Sequence, residues 1–326
     1  MDSILQLHHV SVSAKVGNEK FEVVKDVSFH VGKGETLGIV GESGCGKSIT
    51  AKSIIGLLPS NAWLSGGDII LNNREISSLK KRDMRKIQGK EIAMIFQEPM
   101  ASLDPVYTIS EQLAEMIKNH LKLTRSEIKN YSIDLLEKVG IPRAKEILNE
   151  FPFQLSGGMS QRIMIAMAMS CKPEILIADE PTTALDVTIQ AQIMDLMGDL
   201  KNENQTSVIL ITHDMGIVAE FCQRVIVMYA GEIVEEATVE QIFNDPKHPY
   251  TQALLKSIPR IDERQESLPY IEGSVPSPRS MPKGCRFADR CPLAFDQCFD
   301  QEPDLISINN QYKVRCWLYE KSNRKG

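Results

Sequence analysis

Residues 41–48 read Gly-Glu-Ser-Gly-Cys-Gly-Lys-Ser and fit the pattern G-x-x-x-x-G-K-[ST] at every position. The pattern constrains the fold because it needs a sharp backbone turn at a fixed place. Gly41, Gly44 and Gly46 let the chain curl until successive N–H groups point at one anion. The run ETLGIV before the loop has the texture of a short buried strand. SITAKSIIGLL after it places Ile49, Ile54, Ile55, Leu57 and Leu58 at helical spacing, with Pro59 as the expected stop. Strand, glycine loop and helix in that order are the context that makes the motif a phosphate cradle. The helix start adds its positive end. Lys47 is placed to reach the β- and γ-phosphates of a nucleotide, and the Ser48 hydroxyl to ligate Mg²⁺. Glu42, Ser43 and Cys45 supply the remaining backbone of the cradle.

The rest of the chain predicts an α/β fold. QLHHVSVSA and FEVVKDVSFHV alternate as strands, GGDIILNN and EIAMIFQ read as shorter ones, and ILIADE, SVILITHD and RVIVMYAGEIV are β-rich. In VTIQAQIMDLMGDL, Ile189, Ile193, Leu196, Met197 and Leu200 share one helical face. Such alternation predicts a mainly parallel sheet covered by helices, with an antiparallel β part at the N-terminus. Between them, EQLAEMIKNHLKL, SEIKNYSIDLLEKVG and AKEILNEF are helical in spacing, so a helical subdomain is expected as an insert at about 98–171. Past Pro259 the chain turns rich in Pro, Ser and Gly, which predicts a cassette over 1–258 and a C-terminal extension over 259–326.

Several function classes are disfavoured. The formal charge is −6, with no basic excess, so a nucleic-acid partner is not expected. The most apolar stretch, Ile163–Cys171, is nine residues long, against the roughly 18 or more that a spanning helix needs. MDSILQLHHV does not read as a signal peptide. The expectation is a cytoplasmic chain; if it works at a membrane, other subunits supply the spans.

Two further segments carry chemistry. ILIADE, residues 175–180, is an apolar strand ending in two acids: Asp179 for Mg²⁺ and Glu180 to polarise an attacking water. LSGGMSQ, residues 155–161, places Ser156, Gly157 and Gly158 at the start of an apolar helix, a second anion-binding terminus. Here the sequence resembles the ATP-binding cassette (ABC) ATPases over roughly residues 4–258. LSGGMSQ is similar to that family's signature. Gln97 in MIFQEP resembles the Q-loop, Ala184-Leu185-Asp186 the D-loop, and His213 in ITHD the switch histidine. The resemblance implies that Gln97 contacts Mg²⁺ together with Ser48 and Asp179, and that Glu180, His213 and Gln97 form the catalytic set. It also implies a head-to-tail dimer in which Ser156, Gly157, Gly158 and Gln161 of one subunit act on the ATP of the other. The adenine is expected to stack on an aromatic before the loop, and Phe21 is the candidate. Cys45, ringed by N–H groups and next to Lys47, is expected to have a lowered thiol pKa and to be protected by ATP from alkylation. His8, His9, His30 and His120 read as ordinary structural or surface residues.

HPYTQALLKSIPR at 248–260, then GCRFADRCPLAFDQC and a final cysteine, resemble the oligopeptide/dipeptide/nickel importer branch of that family. The implied partners are a second, homologous ATPase subunit expected to be non-identical, two transmembrane permeases and an extracytoplasmic binding protein, at the cytoplasmic face of the cell membrane. The implied cargo is peptide, with nickel or a metallophore as the alternative and a soluble non-transport ATPase as the competing class. Cys285, Cys291, Cys298 and Cys316 follow C-x5-C-x6-C-x17-C, which is neither zinc-ribbon nor ferredoxin spacing. The branch implies a [4Fe–4S] cluster there; four thiolates could equally hold Zn²⁺, or stay as reduced thiols.

Overall fold

The computed structural model describes residues 3–98, 102–183, 185–257 and 271–323, with side chains to residue 320. Ala184 of the D-loop and the boundary expected at 258/259 lie outside the described residues. The chain divides into two compact units. One holds Ser3–His30, Thr36–Ser77 and the chain from Thr212 onward; the other holds Val31–Glu35 and Ser78–Ile211.

The first unit begins with β1 (Ser3–Val16) and β2 (Glu19–Gly32), then β3 (Thr36–Val40), α1 (Lys47–Ile54), β4 (Ala62–Leu71) and β5 (Arg74–Glu75). Strands β2-β1-β4-β5 make an antiparallel-edged sheet in that order. Asn72 and Asn73, both at positive φ (48° and 61°), form the two-residue link from β4 to β5. Asn tolerates the left-handed region that such hairpin turns require. Helix α1 stops at Ile54, earlier than Pro59 would dictate. Gly56 (φ 69°) is the reason: its N–H bonds Ser53 O at 3.3 Å, and Leu57 N–H bonds Lys52 O at 2.8 Å. That pair of reversed bonds is a glycine-centred helix stop, so the chain has already turned before the proline.

The second unit runs α2 (Lys81–Ile87), β6 (Ile92–Ile95), α3 (Ile109–His120), α4 (Arg125–Lys138), α5 (Ala144–Ile147), α6 (Gly157–Met169), β7 (Ile175–Asp179), α7 (Val187–Asn204) and β8 (Ser207–Ile211). Strands β6, β7 and β8 pair in parallel, and all their residues are buried. This explains their unbroken apolar composition. Helices α3 and α4 start at Thr108 and Thr124. Each threonine accepts a bond from the N–H three residues on, and the glutamate there, Glu111 or Glu127, bonds back. These reciprocal caps satisfy donors that a helix start leaves open.

The chain then returns to the first unit with α8 (Met215–Phe221), β9 (Arg224–Tyr229), β10 (Glu232–Thr238), α9 (Val239–Asn244), α10 (Pro249–Lys256), α11 (Asp296–Asp300), β11 (Ile306–Asn309), β12 (Tyr312–Val314) and α12 (Trp317–Asn323). The strand order in this unit is β11-β12-β10-β9-β3, with β3 parallel to β9. Strand β10 buries three acids, each with a partner. Glu235 accepts N–H bonds from Lys247 (2.6 Å) and His248 (3.1 Å) and the Tyr312 hydroxyl; Glu236 pairs with Arg224 (3.1 Å) and Lys313 (2.9 Å); Glu232 pairs with Arg286 (3.2 Å). Burial pushes the carboxyls of Glu232 and Glu235 up, and their partners oppose it. Nearby, the rings of Tyr229, Tyr250 and Phe287 meet at 4.7–5.4 Å. His248 is buried beside them, and burial holds its imidazole down at about 3, hence neutral. Its Nδ1 accepts the Tyr250 N–H at 3.0 Å.

Gly231, between β9 and β10, sits at φ 87° with its N–H on Cys45 O (2.8 Å) and its carbonyl on Lys25 N–H (2.9 Å). A Cβ there would lie 2.5 Å from Val23 O. Gly231→Ala is expected to lower unfolding free energy by about 3 kcal/mol, combining backbone strain with overpacking. A denaturant melt within about 0.5 kcal/mol of wild type, the range of an indifferent surface change, would contradict this.

Candidate nucleotide site

Strand β3 is buried throughout and delivers the chain to Gly41. A side chain at Gly41 (φ 150°) would place Cβ 2.2 Å from Met228 O and 2.7 Å from Cys45 Sγ. Glycine is therefore required there by the backbone of β9 as much as by the turn. Gly44 and Gly46 lie at φ 78° and 103°, and Gly46 is the cap residue of α1. Ser43 and Gly44 form an exposed tip. No acid stands in the first turn of α1 to offset its positive end. The buried Lys47 ammonium donates to Gly41 O (2.7 Å) and Glu42 O (2.9 Å). Thr50 Oγ1 donates to Gly46 O at 3.0 Å and ties the helix to the loop. Ser48 is half-buried next to Lys47.

The expectation for Cys45 fails. The residue is fully buried, with Lys47 Nζ 3.7 Å from its sulfur. Burial raises the thiol pKa, and the Lys47 charge only partly opposes it. Neighbouring charge was legible in the sequence; depth beneath the loop was not.

In the other unit, β7 ends in the buried Asp179 and the chain turns sharply at Glu180 (φ 48°). A left-handed glutamate is strained, a condition that surrounding bonds must maintain. They are present: Glu180 N–H bonds Ile211 O (2.9 Å), and its carboxylate accepts Gln97 Nε2 (2.9 Å) and Thr183 Oγ1 (2.8 Å). Glu180 and Gln97, both named from the sequence, thus share a hydrogen bond. Thr183 was missed; a hydroxyl three residues after the acid was its only sequence signal.

Ser156 caps α6, its hydroxyl accepting Met159 N–H at 3.3 Å. Ser156 and Gly157 are exposed, and neither Gly157 nor Gly158 has a Cβ contact closer than 3.5 Å. Among the described residues no close packing accounts for their lack of side chain. Gln161 differs: it is buried and its amide donates to Pro181 O. Asp186 caps α7 through Ile189 N–H (3.0 Å). His213 is exposed in the turn between Thr212 and Asp214, and Asp214 caps α8. Phe21 is half-buried in β2, with the Arg279 guanidinium 6.0 Å from its ring centre.

Cys285, Cys291, Cys298 and Cys316 are all unpaired and line one cavity with His248, Phe287 and Trp317. Burial pushes Cys285 up to about 12 and Cys316 to about 11, and the neighbouring thiols add to it. Among the described residues, no group of three or more His, Cys, Asp or Glu could hold a metal ion. This supports neither the [4Fe–4S] cluster nor the zinc expected at these cysteines.

The ABC transporter family profile matches residues 24–183, and the profile of the oligopeptide/dipeptide transporter C-terminal region matches 234–298. The chain is 49% identical to the oligopeptide transport ATP-binding protein AppD of Bacillus subtilis over 98% of each chain. The chain belongs to the ABC transporter family. It is also 46% identical to the dipeptide transport ATP-binding protein DppD of the same organism, over 98% of this chain and 96% of that one. Among solved structures, it is similar to a dimeric post-hydrolysis state of the ATP-binding cassette MJ0796 bound to ADP and Pi. The TM-score is 0.65 at 29% identity, over 72% of this chain and 98% of that one. An ABC ATPase of this kind explains the open phosphate loop and the restrained acid. No helix among the described residues is long and apolar enough to cross a membrane.

At neutral pH, iodoacetamide is expected to label Cys45 in the folded chain at least tenfold more slowly than in the denatured chain, because a buried thiol is inert. Mass spectrometry of the loop peptide reads this; equal rates would refute the burial argument.

Proposed function

We propose that this ABC ATPase drives import of peptides, binding ATP at residues 41–48 and hydrolysing it with Glu180. The observation that carries the reading is the strained Glu180, whose carboxylate is aimed by Gln97 and Thr183. A general base needs a held carboxylate, and a structural surface acid does not need this restraint. Lys47 and the α1 terminus would hold the phosphates, while Ser48, Gln97 and Asp179 would hold Mg²⁺, which neutralises phosphate charge when bound. His213 would contact the γ-phosphate, and Phe21 would face the adenine. The open start of α6, with Ser156, Gly157 and Gly158, would close on the ATP of a partner subunit. Gln161 would instead fix the chain behind Glu180, because its amide is occupied by Pro181; Asp186 would set the start of α7.

Helices α3–α6 would form the inserted subdomain that relays closure to membrane subunits. The assembly would contain a second ATPase subunit, two permeases and an extracytoplasmic binding protein, with this chain peripheral on the cytoplasmic face. Peptide cargo is favoured because the relatives named above are oligopeptide and dipeptide transport proteins. The match of a peptide-transporter profile to 234–298 weighs against a soluble remodelling ATPase. Glu180→Gln is expected to bind ATP, to lose at least 100-fold in kcat and to accumulate dimer. Phosphate release and size-exclusion chromatography with ATP read this, and ordinary turnover would remove Glu180 from its role.

We propose that Cys285, Cys291, Cys298 and Cys316 hold a [4Fe–4S] cluster. They line one cavity, and their thiols crowd one another electrostatically. Such a cluster, when bound, would hold the cysteines as thiolates and cross-link the C-terminal segment. Anaerobically purified protein is expected to carry about four irons and visible absorbance, and Cys291→Ser to lose both. Iron-free wild type that keeps its fold would overturn the proposal.

A further inference from the structure

The phosphate loop contains a carboxylate that phosphate binding does not want. Glu42 lies one residue into a loop that must accept a highly charged anion. Its backbone N–H donates to the Tyr250 hydroxyl (2.8 Å). Its side chain is gripped from far along the chain. Arg290 Nη1 donates to Glu42 Oε2 at 2.8 Å, and Nη2 to Oε1 at 3.0 Å, a two-pronged pair.

Every donor of that guanidinium is used. Nε bonds Glu272 O (2.7 Å), Nη1 also bonds the Tyr229 hydroxyl (3.2 Å), and Nη2 also bonds Ile271 O (3.1 Å). The arginine side chain is only 7% exposed, and the Tyr229 and Phe287 rings lie 5.7 and 5.9 Å from its centre. Such a group cannot swing away cheaply, because five donors would lose their acceptors together. Arg290 is fixed in turn by its place in the cysteine segment, where its N–H bonds Phe287 O (3.0 Å) and the next residue is Cys291.

We infer that Arg290 is a positioning residue of the nucleotide site: it neutralises Glu42 and holds that carboxylate aside so that the loop can accept phosphate. The C-terminal segment is then part of the ATP site, since it supplies the counter-charge of the loop. The inference rests on the reading of residues 41–48 as an ATP site. It predicts that removing Arg290 harms ATP affinity through the charge left on Glu42, and that removing that charge repairs the damage. Lysine at 290 retains the charge but not the two-pronged geometry, so it should recover affinity only in part.

The test uses the full-length chain and binding of a fluorescent ATP analogue with Mg²⁺. Arg290→Ala is expected to raise Kd about tenfold, as an unpaired like charge near the phosphates would, and the defect should shrink at high salt. In ATPase assays KM should rise while kcat stays within about twofold, because uniform binding is what is lost. Adding Glu42→Gln to Arg290→Ala should return Kd to within about threefold of wild type if charge repulsion dominates. A purely structural role would leave the double variant as weak as Arg290→Ala, and that outcome overturns the inference. So does an Arg290→Ala chain that binds as wild type does. Wild-type chain whose binding is no better than that of Lys47→Ala would instead sink the nucleotide reading, and this inference with it.

Discussion

The approach of Gly41 to the carbonyl of Met228 is the constraint on which the loop depends. There is no room for a methyl group between them. The loop is thus shaped by what lies behind it as well as by its own glycines. Met228 belongs to β9, which pairs in parallel with β3, the strand that launches the loop. Gly231 closes the same wall by bonding Cys45 O. A phosphate cradle must hold its N–H groups in place before the anion arrives, since ordering them on binding would consume affinity. A strand backbone is a stiffer template for this than side chains.

The sequence displayed the chemistry better than the supports. The loop, the acid pair at 179–180 and the start of α6 were all legible, because each needs particular residue types at fixed spacing. The strands β3, β6, β7 and β8 were legible as short apolar runs. What could not be read was depth and distant pairing. Cys45 lies beside Lys47 in sequence, which suggests a reactive thiol, yet burial decides its state. Pro59 seemed to end α1, yet Gly56 reverses the chain first. Glu235 and Glu236 of β10 are buried because Tyr312, Arg224 and Lys313 meet them. No local pattern announces a partner some 77 positions away.

Strain at Glu180 has a similar logic. A glycine would adopt φ 48° more comfortably, but would carry no carboxylate. The position therefore trades backbone comfort for a side chain that leaves the strand end abruptly and without searching rotamers. Gln97 and Thr183 supply bonds that keep it there. Both partners bond the same carboxylate oxygen, Oε2.

The C-terminal segment is the least expected participant. An appendage that only bound a metal group would need contact with the cassette for stability alone. Here it contributes Phe287 to the ring cluster with Tyr229 and Tyr250, and Arg286 to the carbonyl of Ala230. Tyr229, Ala230 and Gly231 are consecutive, and Gly231 bonds the loop directly. The segment thus braces the turn that braces the loop, in addition to the direct Arg290 contact. Two independent routes to the same few residues are more than docking would require, since burial of Phe287 and the rings alone would hold the segment in place. A segment tied to the loop by both packing and charge transmits its own order to the loop: whatever loosens residues 285–291 must loosen either the β9–β10 turn or the Glu42 carboxylate.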